Sequence, residues 1–182
     1  MPSTAKLTYP RCKAVSVALL LMLTAGCESA PPIRTAESVE LARFMGDWYV
    51  LGNIPTFIER EAFNAVESYE LNESGNVATR FRFRKAAFDG PEKLYKPTGF
   101  VRNTETNSEW GMQFIWPFKA EYLVLYVNDD YTQTIIGRRK RDYLWIMARD
   151  WNLATDDYAA LVAIAVAEGY QEQAIRRVPQ RW

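Results

Sequence analysis

Histidine is absent from all 182 residues. That absence removes the usual general base at neutral pH, the commonest zinc and copper ligand, and every Ser-His-Asp or Cys-His scheme. Cysteine is nearly absent too: only Cys12 and Cys27 occur, too few for a CxxC metal site or a framework of several bridges. Charge of one sign is not in excess, with 22 basic and 22 acidic residues, so no net field exists to hold nucleic acid by its phosphates. Long hydrophobic runs are missing as well. The longest, Ala14–Leu23, is broken only by Ser16 and falls short of the roughly 20 residues a membrane-crossing helix needs.

What is present is a folding composition, 48% apolar and 24% charged, enough for one ordinary domain. Aromatics are abundant, with 6 Trp, 10 Tyr and 9 Phe, more than a small core usually requires. The N-terminus reads as an address label: Lys6, Arg11 and Lys13 with no acid, then the short apolar run, then the small residues Thr24-Ala25-Gly26. Leu23-Thr24-Ala25-Gly26-Cys27 resembles the bacterial lipoprotein signal, although Thr24 stands where leucine is commonest. The resemblance implies cleavage before Cys27, acylation of Cys27 (diacylglycerol and palmitate-like chains), and sorting to the outer membrane, since Glu28 rather than Asp follows. Cleavage would remove three cations and leave a weakly acidic body of net charge −3. A lipid rather than surface charge would then tie the protein to the membrane. The expected organisation is a signal peptide over 1–26, an acylated cysteine and Pro-rich tether over 27–36, and one domain over 37–182.

The domain reads as antiparallel strands followed by one helix. Val77–Arg84 alternates strictly, with Arg80, Arg82 and Arg84 on one face and Thr79, Phe81 and Phe83 on the other. Asn72–Asn76 is a hairpin loop to a partner strand over Ala65–Leu71, with Gly75 free to take positive φ. Further strands are expected at Trp48–Ile54, Leu94–Arg102, Glu109–Trp116, Tyr122–Val127, Tyr131–Arg138 and Tyr143–Arg149. Polar or Pro-bearing segments separate them, Pro117–Glu121 among these. Eight strands at short spacing predict an all-β meander sandwich or barrel. A helix follows, with Thr155 as N-cap, Asp156 and Asp157 at its positive end and Gly169 just past its end. Tyr158, Leu161, Val162, Ile164 and Ala165 form its apolar stripe.

Three motifs then narrow the reading. Gly46-Asp47-Trp48-Tyr49 resembles the GxW signature that opens the first lipocalin strand. Asn128-Asp129-Asp130-Tyr131 is an imperfect likeness of the second conserved turn, and Asp142–Arg149 of the third region. Together with the lipoprotein signal they make the chain similar to bacterial outer-membrane lipocalins, the lipoproteins related to apolipoprotein D. The resemblance implies an eight-stranded antiparallel up-and-down β-barrel with a C-terminal helix packed outside. It also implies that Arg149 stacks on Trp48 at the closed end beside Gly46, a structural trio.

Anchoring the alternation on Trp48 and Arg149 turns Val50, Gly52 and Ile54 inward on the first strand, and Tyr143, Trp145 and Met147 on the eighth. Leu144 and Ile146 face out, under the helix. Thr79, Phe81 and Phe83 face in, as do Tyr69 and Leu71, which brings Glu67 inward and in need of a partner or a wet mouth. Family alignment adds Trp110, Met112 and Phe114, then Thr132, Thr134 and Ile136. The sixth strand, apolar on both faces, has no settled parity. The expected ligand contacts are Tyr69, Phe81, Phe83, Trp110, Met112, Phe114, Thr134, Tyr143 and Trp145.

Each aromatic alone reads equally well as ordinary core; the set suits an amphiphile, and the resemblance implies a fatty acid or lysophospholipid. The leading expectation is a non-enzymatic, membrane-anchored carrier or store of small lipids on the periplasmic face of the outer membrane. It needs no cofactor and no metal. A structural or partner-binding lipoprotein with a filled barrel is the first alternative, with the outer face around Val124 or Tyr126 supporting a homodimer. A lipocalin-fold enzyme is the second, with Glu67, Glu70 or Asp142 as acid or base.

Overall fold

The computed structural model describes Met1 and residues 31–182. The expected signal peptide and Cys27 lie outside the described residues. A single turn of helix, α1 (Leu41–Phe44), precedes strand β1 (Gly46–Ile54). Strands β2 (Ala62–Leu71), β3 (Val77–Lys85), β4 (Glu92–Tyr95), β5 (Thr98–Val101), β6 (Glu109–Ile115), β7 (Phe118–Val127), β8 (Gln133–Gly137) and β9 (Leu144–Ala148) follow. Successive strands pair antiparallel, except that β4 and β5 both pair with β3, and β1 pairs with β9 to close the cylinder. Helix α2 (Thr155–Ala167) and a short final strand β10 (Arg176–Arg177), which extends β1, complete the chain. The expected fourth strand, Leu94–Arg102, is split into β4 and β5 because Pro97 has no N–H to give a ladder. Counted as one broken strand, the pair makes the barrel eight-stranded. The expected loop Pro117–Glu121 is instead mostly strand, since β7 begins at Phe118.

Alternation sorts the side chains into two cores. Inside lie Trp48, Val50, Tyr69, Phe81, Trp110, Met112, Tyr122, Val124, Ile136, Trp145 and Met147. Outside, Leu51, Leu123, Leu125, Ile135, Leu144 and Ile146 meet Tyr158, Leu161 and Ala165 of α2. The sixth barrel strand thus has Tyr122 and Val124 in, and Leu123 and Leu125 out. This also corrects the expected dimer face: Val124 is fully buried inside the barrel, and the apolar outer surface beside it is covered by α2.

Two parity expectations fail at a β-bulge. The β1–β9 register shifts between Val50 and Gly52, so one extra residue flips everything beyond it. Gly52 opposes the outward Ile146, and a Cβ there would lie 2.2 Å from the Tyr158 hydroxyl. Ile54 likewise faces out, and Asn53, opposite Trp145, takes the inward place. Leu71 and Thr132, both expected inside, are exposed at strand ends. In α2, Thr155 is the first helical residue rather than the cap; Ala154 holds that position, with no side-chain bond. Gly169 sits just beyond the helix at φ +90°.

The expected tether falls within the described residues from Pro31 onward, and there it is bound to the barrel rather than free. From Pro31 the chain lies along the barrel: the Arg141 guanidinium donates to the Pro31 carbonyl and Arg34 pairs with Glu168. Ile33 packs on the outer core, Ala36 N–H donates to the Val124 carbonyl, and Val39 N–H to Thr106. Ile33 and Val39 explain the docking, since both bury apolar side chains that a solvated tether would leave in water.

Candidate ligand-binding site

One end of the barrel is shut by the segment 41–48. Gly46, at φ +95°, turns the chain from α1 into β1, and a Cβ there would meet the Arg149 guanidinium at 3.1 Å. Trp48 follows, its indole N–H donating to the Phe44 carbonyl at 2.8 Å. The Arg149 guanidinium lies 3.8 Å from the Trp48 ring centroid and donates to the carbonyls of Asp47, Phe44 and Met45. A planar cation with several fixed donors is suited to hold a loop and a ring together.

Above this plug lies a packed aromatic layer. Phe44, Tyr69 and Trp110 meet at 5.6–5.8 Å between centroids, and Trp110 stacks on Tyr122 at 5.7 Å. The Glu67 carboxyl crowns the layer, accepting from both the Tyr69 and Tyr122 hydroxyls. Burial raises its pKa from an ordinary 4.5 to about 7, against the tyrosine hydrogen bonds, which lower it.

From Glu67 upward the barrel is hollow, with a cavity of about 490 Å³. Its walls are Thr79 and Phe81 of β3, Tyr95 and Pro97, Met112, Phe114 and Ile115 of β6, Ala120 and Tyr122 of β7, and Tyr143 and Trp145 near β9. The loop joining β1 to β2 folds over one side and contributes Thr56, Phe57, Ile58 and Glu59. Glu59 is almost wholly buried; it accepts from the Thr56 N–H and hydroxyl and from the Trp145 indole N–H. Burial raises its pKa as well, with those bonds opposing. Arg138 stands at the mouth, paired with Asp142 at 3.4 Å, its guanidinium 5.1 Å from the Tyr143 ring. Its Nε is buried without a hydrogen-bond partner. The cavity is therefore oily in the middle, carboxylic at the floor and one flank, and cationic at the rim.

Of the residues singled out from sequence, Phe81, Met112, Phe114, Tyr143 and Trp145 line this space. Tyr69 and Trp110 do not, because they fill the aromatic layer beneath it. Thr134 is fully buried lower down, with its hydroxyl donating to the Tyr126 carbonyl. Phe83 packs beside the cavity against Phe81 and Tyr95. Among the candidate acids, Glu67 alone faces the cavity; Glu70 is exposed and Asp142 is engaged by Arg138. Sequence reasoning missed Glu59, Tyr95, Pro97 and Arg138. A run such as Phe57-Ile58 inside a loop was the one available sign that the loop covers something apolar.

A cylinder shut at one end, open at the other and hollow between is the architecture of a calyx that encloses small molecules. The chain belongs to the lipocalins: the family model described as a lipocalin-like domain matches residues 39–180. Lipocalins bind small hydrophobic ligands, and the fold is typically that of non-enzymatic binding proteins. The chain is 25% identical to temperature-induced lipocalin-1 of Arabidopsis thaliana, over 81% of this chain and 83% of that one. It is 23% identical to the outer membrane lipoprotein Blc of Citrobacter freundii, over 89% and 91% respectively. Among solved structures, insecticyanin of the tobacco hornworm Manduca sexta superposes with a TM-score of 0.65 at 12% identity, covering 82% of this chain and 85% of that one. The cockroach allergen Per a 4 gives 0.60 at 16% identity, covering 81% and 92%. At those identities the structural likeness speaks to the fold alone.

Proposed function

We propose that this chain binds one amphiphilic lipid, a fatty acid or a lysophospholipid, tail-down in the barrel, and stores or carries it in a bacterial envelope. The observation that carries this reading is the polarity gradient of the cavity. Phe81, Met112, Phe114 and Trp145 offer an apolar lining, while Glu67 lies at the floor, Glu59 on one flank and Arg138 at the rim. An anionic headgroup pushed to the floor would meet the Glu67 carboxyl; at the mouth it would meet a guanidinium. Burying a tail of about ten methylenes at about 0.8 kcal/mol each supplies about 8 kcal/mol before the costs of association. The lipoprotein signal ending at Cys27, and the similarity to an outer membrane lipoprotein over most of both chains, support anchoring of Cys27 in the outer membrane. Titration of the delipidated protein with lysophospholipids and fatty acids is expected to saturate at one per chain in the micromolar range. Absence of saturable binding below about 100 μM would overturn the assignment.

A further inference from the structure

Among the described residues, the four most exposed large apolar side chains after Met1 are gathered at the mouth. Ile115 is 73% exposed, Trp116 82% and Phe118 76%, all on the tip of the β6–β7 hairpin. Phe57, 79% exposed, projects from the β1–β2 loop, and Phe114 and Leu94 are each about half exposed. Phe57, Phe114 and Ile115 also line the cavity, so the patch and the opening are continuous. Bulky rings in water at the tip of a hairpin cost free energy unless something covers them. Cations border the patch: Lys119 sits over the Phe100 ring, and the β8–β9 connection reads Arg138-Arg139-Lys140-Arg141. Aromatic side chains ringed by Lys and Arg suit the headgroup level of a bilayer.

The path of the N-terminal segment points the same way. Pro31 is held by Arg141, in the same β8–β9 connection whose Arg138 and Tyr143 line the cavity. From there the chain runs along the outside toward the shut end, where Val39 bonds Thr106. Pro31 therefore stands at the open end of the barrel. Three residues, Glu28, Ser29 and Ala30, separate Cys27 from Pro31, so four Cα–Cα steps give a reach of at most about 14 Å. A lipid on Cys27 with so short a leash keeps the mouth near the membrane, whereas an exit at the base would have held the mouth away.

We infer that the barrel docks mouth-first on the lipid surface, with the Ile115–Phe118 tip and Phe57 inserted at the headgroup level and the cavity opening onto the bilayer. A single lipid tail could then slide between bilayer and barrel without crossing water. Docking of this kind deepens the lipid-binding reading and rests on it for its purpose. The aromatic rim and the place of Pro31 at the mouth stand without it.

The test places an environment-sensitive nitrobenzoxadiazole label on the full chain, reconstituted in vesicles of phosphatidylethanolamine and phosphatidylglycerol. Trp116→Cys marks the rim and Glu73→Cys the opposite end; both positions are exposed, so neither substitution disturbs the core. Unsubstituted protein labelled in parallel reports any reactive thiol of its own. The label at 116 is expected to shift blue and to be quenched by lipids carrying a nitroxide near the headgroup, while the label at 73 behaves as in water. Quenching at 73, or water-like signals at both positions, would overturn the orientation. Lysophospholipid titration of the Trp116→Ser/Phe118→Ser variant separates the two readings. Saturable binding there, with docking absent in the first assay, leaves the carrier standing without the orientation. Docking at 116 with no saturable binding in the unsubstituted protein leaves the orientation without the carrier.

Discussion

Replacing Glu67 by Gln should alter the pH dependence of stability in a calculable direction. The Glu67 carboxyl is buried beneath the cavity, and its pKa is raised from 4.5 to about 7. Between those values the folded chain keeps a proton that the unfolded chain releases, so stability is greatest below the lower value and falls as pH rises toward the upper. The displacement corresponds to about 3 kcal/mol, lost between mildly acidic and neutral pH. Glutamine cannot ionise, and its carbonyl can still accept from Tyr69 and Tyr122. The variant should therefore match the original at pH 4 and exceed it by up to about 3 kcal/mol at pH 8, roughly 6–12 °C in melting temperature for a domain of this size. Glu59, raised by burial in the same sense, is present in both proteins, and since its charge also helps raise Glu67, the difference reports Glu67 together with that coupling. Urea unfolding followed by tryptophan fluorescence, repeated from pH 4 to 8, measures that difference. Parallel pH curves for the two proteins, or an original that gains on the variant as pH rises, would refute the burial of this carboxyl.

Other consequences are equally concrete. Thr79→Trp should fill the lower cavity and weaken lysophospholipid binding at least tenfold in the same titration, with the circular dichroism spectrum unchanged. Arg149→Ala removes the stack on Trp48 and several carbonyl contacts; a loss of about 2–3 kcal/mol in urea unfolding is expected. Ligand affinity should survive that change, because Arg149 closes the end away from the cavity. Gly137→Ala would set a Cβ 2.3 Å from the Tyr170 hydroxyl and 2.6 Å from Leu125 Cδ1. Thermal melting should show a destabilisation of about 2 kcal/mol or more as the outer core is forced apart.

The sequence carried the barrel because strict alternation is hard to mistake where one strand face is charged. Arg80, Arg82 and Arg84 force Phe81 inward whatever the neighbouring strands do. The base was legible only through the family likeness: Gly46-Asp47-Trp48 and Arg149 match its conserved motifs, and the structure lays the guanidinium on the indole. The first strand was misread beyond Val50, because a bulge inserts one residue without any mark in composition. The cavity wall was read only in part: Tyr69 and Trp110 look identical to lining residues in sequence, and only their height in the barrel separates them from Phe81 and Met112. Glu59 and Arg138 were illegible because loops, whose paths no periodicity records, place them. Residues 31–36 looked like a tether from their two prolines, yet Ile33 and the Arg34–Glu168 pair bind them to the barrel.

Native mass spectrometry of the protein drawn from its own membranes, compared with its Thr79→Trp variant, tests the enclosed lipid most directly. The original should fly with one amphiphile of a single acyl-chain mass beyond any covalent lipid, and the variant should arrive empty. The same adduct on both proteins, or none on either, would contradict a tail held in the barrel.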